Sequence, residues 1–294
     1  TASGRALHYS QLVIATGAQP EDFGIQGVRD NALNFHTLSD LRPLQERVQE
    51  LRRRPSGTSS LVIAGAGATG VELACKLVDM LNGAATVQLV ELGDQILPRS
   101  KAFNREQAEK ALKKRGVTVH LNTKVESVTA TSVMLSGAQG SSQQNHDGLI
   151  WTAGSRPSIP DISPKLELHQ GRLPVTESLR LQGYPEVLAL GDIAVNPDAD
   201  ELSSWPHSAQ AAIQQGQFAA QELKAKLRDR DPNTFVFNDL GEMLSLGIGD
   251  ASITGLGLTL AGPLAFKLRR LTYLTRLPGL SLGLRAAGAW LVSP

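Results

Sequence analysis

The chain has 294 residues, of which 41% are apolar and 19% charged, and its formal net charge is +1. This length predicts about two domains, and the near-neutral charge gives no basis for binding nucleic acid. The single cysteine, Cys75, excludes an internal disulfide and a C-x-x-C redox pair within these residues. No cluster of metal ligands is evident, so we expect neither thiol nor metal chemistry.

The first predicted element is a buried strand that runs into a tight turn. It covers Leu12 to Ala18 and brings Thr16 and Gly17 to its end. The chain begins with Thr1 rather than methionine and opens within this strand region. We therefore expect that residues preceding Thr1 are missing from the sequence.

A glycine-rich loop follows, between a predicted strand and a predicted helix. The strand is Ser60 to Ala64, the loop reads G-A-G-A-T-G over 65–70, and apolar residues at helical spacing begin at Val71. This order is typical of a dinucleotide-binding βαβ unit, in which the pyrophosphate lies on the positive end of the helix. A glycine-rich turn in an unrelated α/β domain is the alternative. The residues expected to bind the pyrophosphate are Gly65, Gly67 and Gly70.

The second strand of this unit, Thr86 to Val90, ends at a carboxylate, Glu91. A carboxylate at this point can accept hydrogen bonds from both adenosine ribose hydroxyls, and it would repel a 2′-phosphate. No arginine follows directly, which favours NADH over NADPH, although Arg99 and Lys101 lie further along. An ordinary solvated strand end is the alternative interpretation of Glu91.

Two later segments repeat the pattern of an apolar strand that ends at a glycine. The first, 148–154, ends in Ala153 and Gly154. The second, 186–192, ends in Gly191 and Asp192. An acceptor such as Asp192 suits a ligand site, because ligands bind at the carboxyl ends of strands in open α/β sheets.

A helix predicted from Pro206 to about Lys226 carries Gln210 and Gln214 one turn apart. Residues at this spacing lie on one face, so both amides can face one pocket. A polar, alanine-rich surface helix is the alternative.

Together these segments resemble the flavoproteins with two dinucleotide-binding domains, in which an FAD domain is interrupted by an NAD(P)H domain. The resemblance implies an α/β fold: a Rossmann-like NADH domain inserted in a partial FAD domain, with a C-terminal amphipathic helical module. The implied domains are 1–36 (FAD, first segment), 37–150 (NADH), 151–232 (FAD, second segment) and 233–294 (C-terminal membrane-association module). The residues implied to bind FAD are Thr16, Gly17, Ala153, Gly154, Gly191 and Asp192.

Such flavoproteins carry two glycine fingerprints, and only the second is found here. A truncated chain that binds nucleotide but has no activity is therefore one alternative function. A soluble flavoprotein reductase of a small redox protein is another.

The motif A-Q-A-A-I-Q over 209–214 narrows the resemblance to the type II NADH dehydrogenases, which are single-subunit NADH:quinone oxidoreductases. The resemblance implies that electrons pass from NADH through FAD to a quinone near Gln210 and Gln214. It places Glu72 near the nicotinamide; a first-turn helix acid favoured by the helix dipole is the equally open alternative. Segments 240–243, 262–263 and 271–278 most resemble a cyanobacterial and plastid branch that is associated with reduction of demethylphylloquinone and related prenyl quinones.

The C-terminal segment from Ala251 onward contains no acidic residue and is rich in leucine. No uncharged run reaches the roughly 20 residues that a spanning helix needs. A cationic amphipathic segment is typical of attachment to an anionic membrane surface. We expect a peripheral protein on the cytoplasmic face, at a thylakoid or plasma membrane in a cyanobacterial-like cell and in the plastid of a plant. A helical pair packed on its own domain, or on a partner in a homodimer, is the alternative. The five cations are Lys267, Arg269, Arg270, Arg276 and Arg285.

Overall fold

The structure is a computed structural model that describes residues 4–200, 204–228, 230, 232–277 and 279–292. The chain divides into two compact units. The small unit consists of Thr1–Gln19 and Ser155–Asp239, and the large unit of Pro20–Gly154 and Leu240–Pro294. The C-terminal segment from Leu240 therefore belongs to the same unit as the glycine loop.

The described part of the chain contains 18 strands and seven α-helices. The strands are β1 (Leu12–Ile14), β2 (Ala18–Pro20), β3 (Leu33–Asn34), β4 (Ser59–Ala64), β5 (Ala85–Val90), β6 (Thr118–His120), β7 (Lys124–Val128), β8 (Ser132–Gly137), β9 (Gly140–Asn145), β10 (Gly148–Trp151), β11 (Ser155–Pro157), β12 (Leu173–Pro174), β13 (Arg180–Leu181), β14 (Tyr184–Ala189), β15 (Ala194–Val195), β16 (Glu242–Ser245), β17 (Ala251–Gly255) and β18 (Leu258–Ala261). The helices are α1 (Val28–Asn31), α2 (Leu41–Arg52), α3 (Ala68–Leu81), α4 (Ala102–Lys114), α5 (Ala209–Lys226), α6 (Pro263–Thr275) and α7 (Leu280–Val292).

A parallel sheet in the order β3-β10-β4-β5-β6 forms the centre of the large unit. Its inner strands are nearly continuous apolar runs because both faces of the sheet are covered. On β4, Leu61 and Ile63 pack with α2, α3 and α4. The alternate residues Val62 and Ala64 pack with the antiparallel sheet β7-β8-β9, as the two-residue period of a strand requires.

The C-terminal region of the large unit is an antiparallel sheet, β16-β17-β18, followed by α6 and α7. Leu244 and Leu246 join the main core of the unit, and Ala251, Ile253 and Ala265 form a second small cluster. Of the helices in the described residues, none is both long enough and apolar enough to cross a membrane.

The small unit is built on the sheet β1-β14-β13, in which β1 runs parallel to β14. The helix predicted from Pro206 begins at Ala209, because Ser208 caps it by accepting a hydrogen bond from the Ala211 amide at 3.2 Å. Ala211 packs into the apolar core of this unit with Trp205 and Phe235.

Candidate functional site

The glycine loop of the large unit has the geometry of an anion cradle. Gly65 has φ +98°, and a Cβ there would lie 2.8 Å from the Ala153 Cα atom. A Cβ on Gly70 would overlap the carbonyl oxygen of Gly65, so this glycine lets α3 approach the strand end. A Cβ on Gly67 would meet no atom within 4 Å, and Gly67 caps α3 without a side-chain hydrogen bond. No side chain among the described residues caps the start of α3, so its first N–H groups can bind an anion such as a pyrophosphate.

Glu91 lies at the mouth of this loop and is held by main-chain donors. Its Oε2 accepts a hydrogen bond from the Ala66 amide at 2.7 Å, and its Oε1 accepts one from the Gly93 amide at 2.8 Å. A carboxylate has about four lone-pair sites, so acceptor capacity remains for ribose hydroxyls. The structure therefore brings the carboxylate beside the three glycines, as the sequence predicts.

The segment that follows Glu91 folds back onto the loop, which the sequence analysis did not anticipate. The Leu97 amide donates to the Ala66 carbonyl at 2.9 Å, and Leu97 is buried with φ +49°. Arg105 on α4 holds this segment by donating to the carbonyls of Leu97 at 3.2 Å and Ser100 at 3.1 Å. No local pattern distinguishes Leu97 from a core leucine, so its role is visible only in the structure.

Ala153 and Gly154, which follow β10, lie on the same side of the large unit as the glycine loop. The main chain of Ala153 abuts Gly65. The preceding Thr152 hydroxyl donates to the carbonyls of Ala64 at 2.8 Å and Gly65 at 3.0 Å. Thr152 and Ala153 therefore support the loop, and the assignment of Ala153 and Gly154 to FAD stays a prediction.

Glu72 lies on α3 two residues beyond the glycine loop, and its carboxylate contacts the C-terminal region. Its Oε1 accepts a hydrogen bond from the Ser245 amide at 2.6 Å and another from Arg269 Nη2 at 3.3 Å. Burial raises the pKa of Glu72, and these two donors oppose that rise. Neither donor is predictable from the sequence, since they lie 173 and 197 residues away along the chain.

In the small unit, the two strand ends predicted to bind a flavin lie side by side. Because β1 pairs in parallel with β14, Thr16–Gly17 and Gly191–Asp192 follow neighbouring strands at the same edge. The Thr16 hydroxyl donates to the Ser158 carbonyl at 2.5 Å. Among the described residues the structure records no hydrogen bond to the Asp192 carboxylate, which leaves it available to a hydroxyl-bearing ligand.

Helix α5 is attached to this edge through a glutamine that the sequence analysis missed. Gln215 is fully buried, and its Oε1 accepts a hydrogen bond from the Gly191 amide at 2.7 Å. In the sequence it is indistinguishable from its neighbour Gln214, because only the fold decides which glutamine points inward.

The two predicted glutamines do share one face of α5. Gln214 Nε2 lies 3.5 Å from Gln210 Oε1. Gln214 also exchanges two hydrogen bonds with the main chain of Asn238, at 2.8 and 3.0 Å. The Gln214 amide therefore lies beside Gln210 and is also hydrogen-bonded to the main chain of the small unit.

Comparison with known proteins identifies the family. Residues 1–216 match the family model described as pyridine nucleotide-disulphide oxidoreductase. The chain belongs to this family. The predicted α/β class, the resemblance to two-dinucleotide-binding flavoproteins and the assignment to the oxidoreductases are therefore confirmed.

Curated relatives, among them the type II NADH:quinone oxidoreductase of Staphylococcus aureus (27% identical over 87% of the chain and 67% of that relative), also confirm the narrower resemblance to the type II NADH dehydrogenases. The chain is 36% identical to demethylphylloquinone reductase NdbB of Synechocystis sp. over 98% of its own length and 72% of the relative. It is 32% identical to the alternative NAD(P)H-ubiquinone oxidoreductase C1 of Arabidopsis thaliana, over 94% of the chain and 57% of that relative. It therefore spans only about half to three quarters of the length of these proteins.

Among solved structures, the fold matches that of NDH2 from Plasmodium falciparum in complex with NADH. The TM-score is 0.80 at 16% identity, over 95% of this chain and 76% of that one. At this identity the match shows the fold alone.

Proposed function

We propose that this chain forms part of an FAD-dependent oxidoreductase that transfers electrons from NADH to a membrane quinone. The observation that carries the proposal is the uncapped N-terminus of α3 behind the open position at Gly67, with Glu91 at the mouth of the loop. The names of both relatives, a demethylphylloquinone reductase and an NAD(P)H-ubiquinone oxidoreductase, support the direction of transfer.

The large unit binds NADH in this proposal. The first N–H groups of α3 donate to the pyrophosphate, where the partial positive charge of the helix end also favours it. Glu91 accepts hydrogen bonds from the adenosine ribose and disfavours a 2′-phosphate by charge repulsion. The site thus selects NADH over NADPH, with the pyrophosphate at Gly65, Gly67 and Gly70 and the adenosine ribose at Glu91.

The edge of the small unit holds FAD, with Asp192 accepting a hydrogen bond from a hydroxyl group and Thr16, Gly17 and Gly191 allowing close approach of the main chain. Ala153 and Gly154, which belong to the large unit, are assigned to FAD by the sequence resemblance alone. FAD, when bound, supplies the two-electron chemistry, and the protein supplies binding and orientation.

The quinone is the acceptor, and Gln210 and Gln214 recognise its carbonyl groups as hydrogen-bond donors. Gln214 donates to the Asn238 carbonyl in this structure, so a bound quinone would share or replace that hydrogen bond. A prenyl quinone of the demethylphylloquinone class is the proposed substrate, in line with the first relative.

A peripheral position at the membrane, on its cytoplasmic face, would give access to such a quinone. Helices α6 and α7 carry exposed leucines and cations and no acidic residue; Leu264 is 64% exposed and Leu271 58% exposed. Apolar side chains interleaved with cations suit the surface of an anionic bilayer.

The experiment that tests the quinone assignment separates the two half-reactions. In the FAD-loaded chain, Gln210→Ala and Gln214→Ala should slow oxidation of the reduced protein by a prenyl quinone about tenfold, because each removes a carbonyl donor. The rate of anaerobic flavin reduction by NADH, measured from the flavin absorbance in a stopped-flow instrument, should change by less than about threefold. Gln221→Ala, on the same helix but beyond the motif, is the control. Equal losses in both half-reactions would contradict the quinone assignment.

A further inference from the structure

The peptide group between Ala66 and Gly67, in the middle of the glycine loop, is held by a hydrogen bond from outside the loop. The Leu97 amide donates to the Ala66 carbonyl at 2.9 Å. Because a trans peptide group is planar, with its N–H opposite its C=O, the Gly67 N–H points away from Leu97. Among the described residues the structure records no hydrogen-bond acceptor for this N–H, which lies at the N-cap of α3. Leu97 therefore sets the direction of a main-chain donor at the start of the helix.

Leu97 depends on its surroundings for its own conformation. It is buried with φ +49°, in the left-handed region that a leucine rarely adopts. Arg105 on α4 supplies part of the support. Its guanidinium donates to the carbonyls of Leu97 at 3.2 Å, Pro98 at 3.4 Å and Ser100 at 3.1 Å. The position of Leu97 is therefore tied to the first turns of α4.

The start of α4 is in turn held by a carboxylate from the C-terminal sheet. Glu242, the first residue of β16, accepts three hydrogen bonds there. The donors are the Ser100 hydroxyl at 2.5 Å, the Lys101 main-chain amide at 3.2 Å and the Asn104 side-chain amide at 2.7 Å. Lys101 is the N-cap of α4 and makes no side-chain capping hydrogen bond, so Glu242 takes the place of a local capping residue. A carboxylate at this end of a helix is also favoured by the helix dipole.

The contact between Glu242 and α4 extends into the buried interior of the large unit. Asn104 is fully buried, and its side-chain amide also donates to the hydroxyl of Thr254 at 2.9 Å. Thr254 on β17 lies directly opposite Glu242 in the antiparallel pairing of β16 with β17. Asn104 thus joins α4 to two neighbouring strands at once. Hydrogen bonds among buried polar groups are strong and directional, so they fix the start of α4 relative to the C-terminal sheet.

We propose that Glu242 is a positioning residue for the nucleotide: by fixing the start of α4, and Leu97 with it, Glu242 keeps the Gly67 N–H directed at the pyrophosphate of NADH. The proposal rests on the proposed function for the NADH site. It makes the C-terminal sheet a part of that site, although Glu242 lies 142 residues beyond Ser100 in the sequence. The C-terminal region then has a task in nucleotide binding besides its proposed contact with a membrane.

The first test needs no nucleotide. In Glu242→Gln one acceptor oxygen is replaced by an NH₂ group, which cannot accept from the donors at the start of α4. The Leu97 amide should then exchange its hydrogen with solvent about tenfold faster than in wild type, measured by NMR on the ¹⁵N-labelled chain, because its hydrogen bond to Ala66 opens more often. Glu106→Gln, which changes an exposed acid further along α4, is the control. Unchanged exchange of the Leu97 amide in Glu242→Gln overturns the proposal.

The second test measures the NADH affinity of the same variants by titration calorimetry. Glu242→Gln should weaken NADH binding about tenfold, and Glu106→Gln should bind NADH as wild type does. Loss of a negative charge by itself would strengthen the binding of an anionic ligand, so weaker binding separates positioning from a direct effect of charge.

Ser100→Ala provides a milder variant, which decides the matter where Glu242→Gln fails to fold. It removes one of the three donors to Glu242 and should weaken NADH binding about threefold. NADH affinity that is unchanged in these variants overturns the proposal alone. A wild-type chain that binds no NADH overturns the proposed function, on which the role of Glu242 rests.

Discussion

At the scale of single residues, the three glycines of the loop have different tasks. Gly65 and Gly70 are required by packing, because a Cβ at either position would overlap main-chain atoms of the neighbouring strand end or loop. Packing within the described part of the chain does not require Gly67, since a Cβ there meets no atom within 4 Å. The fold therefore explains two of the glycines, and the proposed nucleotide site would explain the third, because a ligand there approaches the main chain.

This difference predicts opposite outcomes for two alanine variants. Gly67→Ala should keep the melting temperature of the chain within about 2 °C but weaken NADH binding at least tenfold, because the methyl group occupies the pyrophosphate position. Gly70→Ala should lower the melting temperature by several degrees, because α3 must shift away from the strand. Calorimetry of both variants checks this. Normal NADH affinity in Gly67→Ala would contradict the cradle.

His146, which follows β9, is expected to make the free energy of unfolding depend on pH. It is only 5% exposed, so its ring is removed from solvent. Burial lowers the pKa of His146 below its usual value of 6.5, so the folded chain keeps the ring neutral.

Because the unfolded chain takes up a proton near pH 6.5 and the folded chain only at lower pH, the free energy of unfolding should fall as the pH drops below 6.5 and level off below the folded-state pKa. Urea unfolding at pH 7.5 and 5.5 measures this loss. It should be smaller in His146→Gln than in wild type, and unchanged in His169→Gln, which alters an exposed histidine. A loss that is identical in all three proteins would show that His146 does not contribute.

At the scale of elements, sequence patterns predict the order of helices and strands within one contiguous stretch. Contacts between residues far apart in the sequence are visible only in the folded structure. The strand, glycine loop, helix and second strand that ends at Glu91 are contiguous, so sequence patterns predict their order. The donors that hold Glu72 and the inward direction of Gln215 depend on tertiary packing, for which 209–216 and 245–269 carry no local signal. The sequence likewise does not predict that the C-terminal sheet belongs to the unit with the glycine loop. Leu244 and Leu246, which pack into the core of that unit, have no distinguishing sequence pattern.

Helix α6 shows how one element serves two surfaces. Two of its residues face the rest of the large unit: Ala265 packs against β17, and Arg269 donates to Glu72 on α3. Leu264 and Leu271 are exposed to solvent. Exposed leucines at a spacing of seven lie on one face of a helix, and an apolar face of this kind suits insertion at a bilayer surface.

If this face contacts lipid, the double variant Leu264→Gln/Leu271→Gln should bind anionic phospholipid vesicles about tenfold more weakly, because two apolar side chains lose their burial in lipid. Vesicle co-sedimentation at low and physiological salt measures the affinity, which salt should also reduce. Leu38→Gln, an exposed leucine elsewhere in the large unit, is the control. Equal binding of all three proteins would contradict the membrane assignment.

At the scale of the whole molecule, the proposed function gives the two units different parts of one redox reaction. The large unit has the nucleotide cradle, and the small unit has neighbouring strand ends with the Asp192 carboxylate available. The chain spans 72% of one relative and 57% of the other, so retention of FAD by these residues is the point on which the proposed activity depends.

The measurement that tests this most directly is flavin reduction by NADH in the purified chain. The chain is incubated with FAD, excess flavin is removed by gel filtration, and the absorbance of the oxidised flavin is recorded anaerobically before and after NADH is added. The proposed function predicts a retained flavin that bleaches with NADH and responds much less to NADPH. A flavin that is retained but stays oxidised, or no retained flavin at all, would contradict the proposal that these residues carry electrons from NADH.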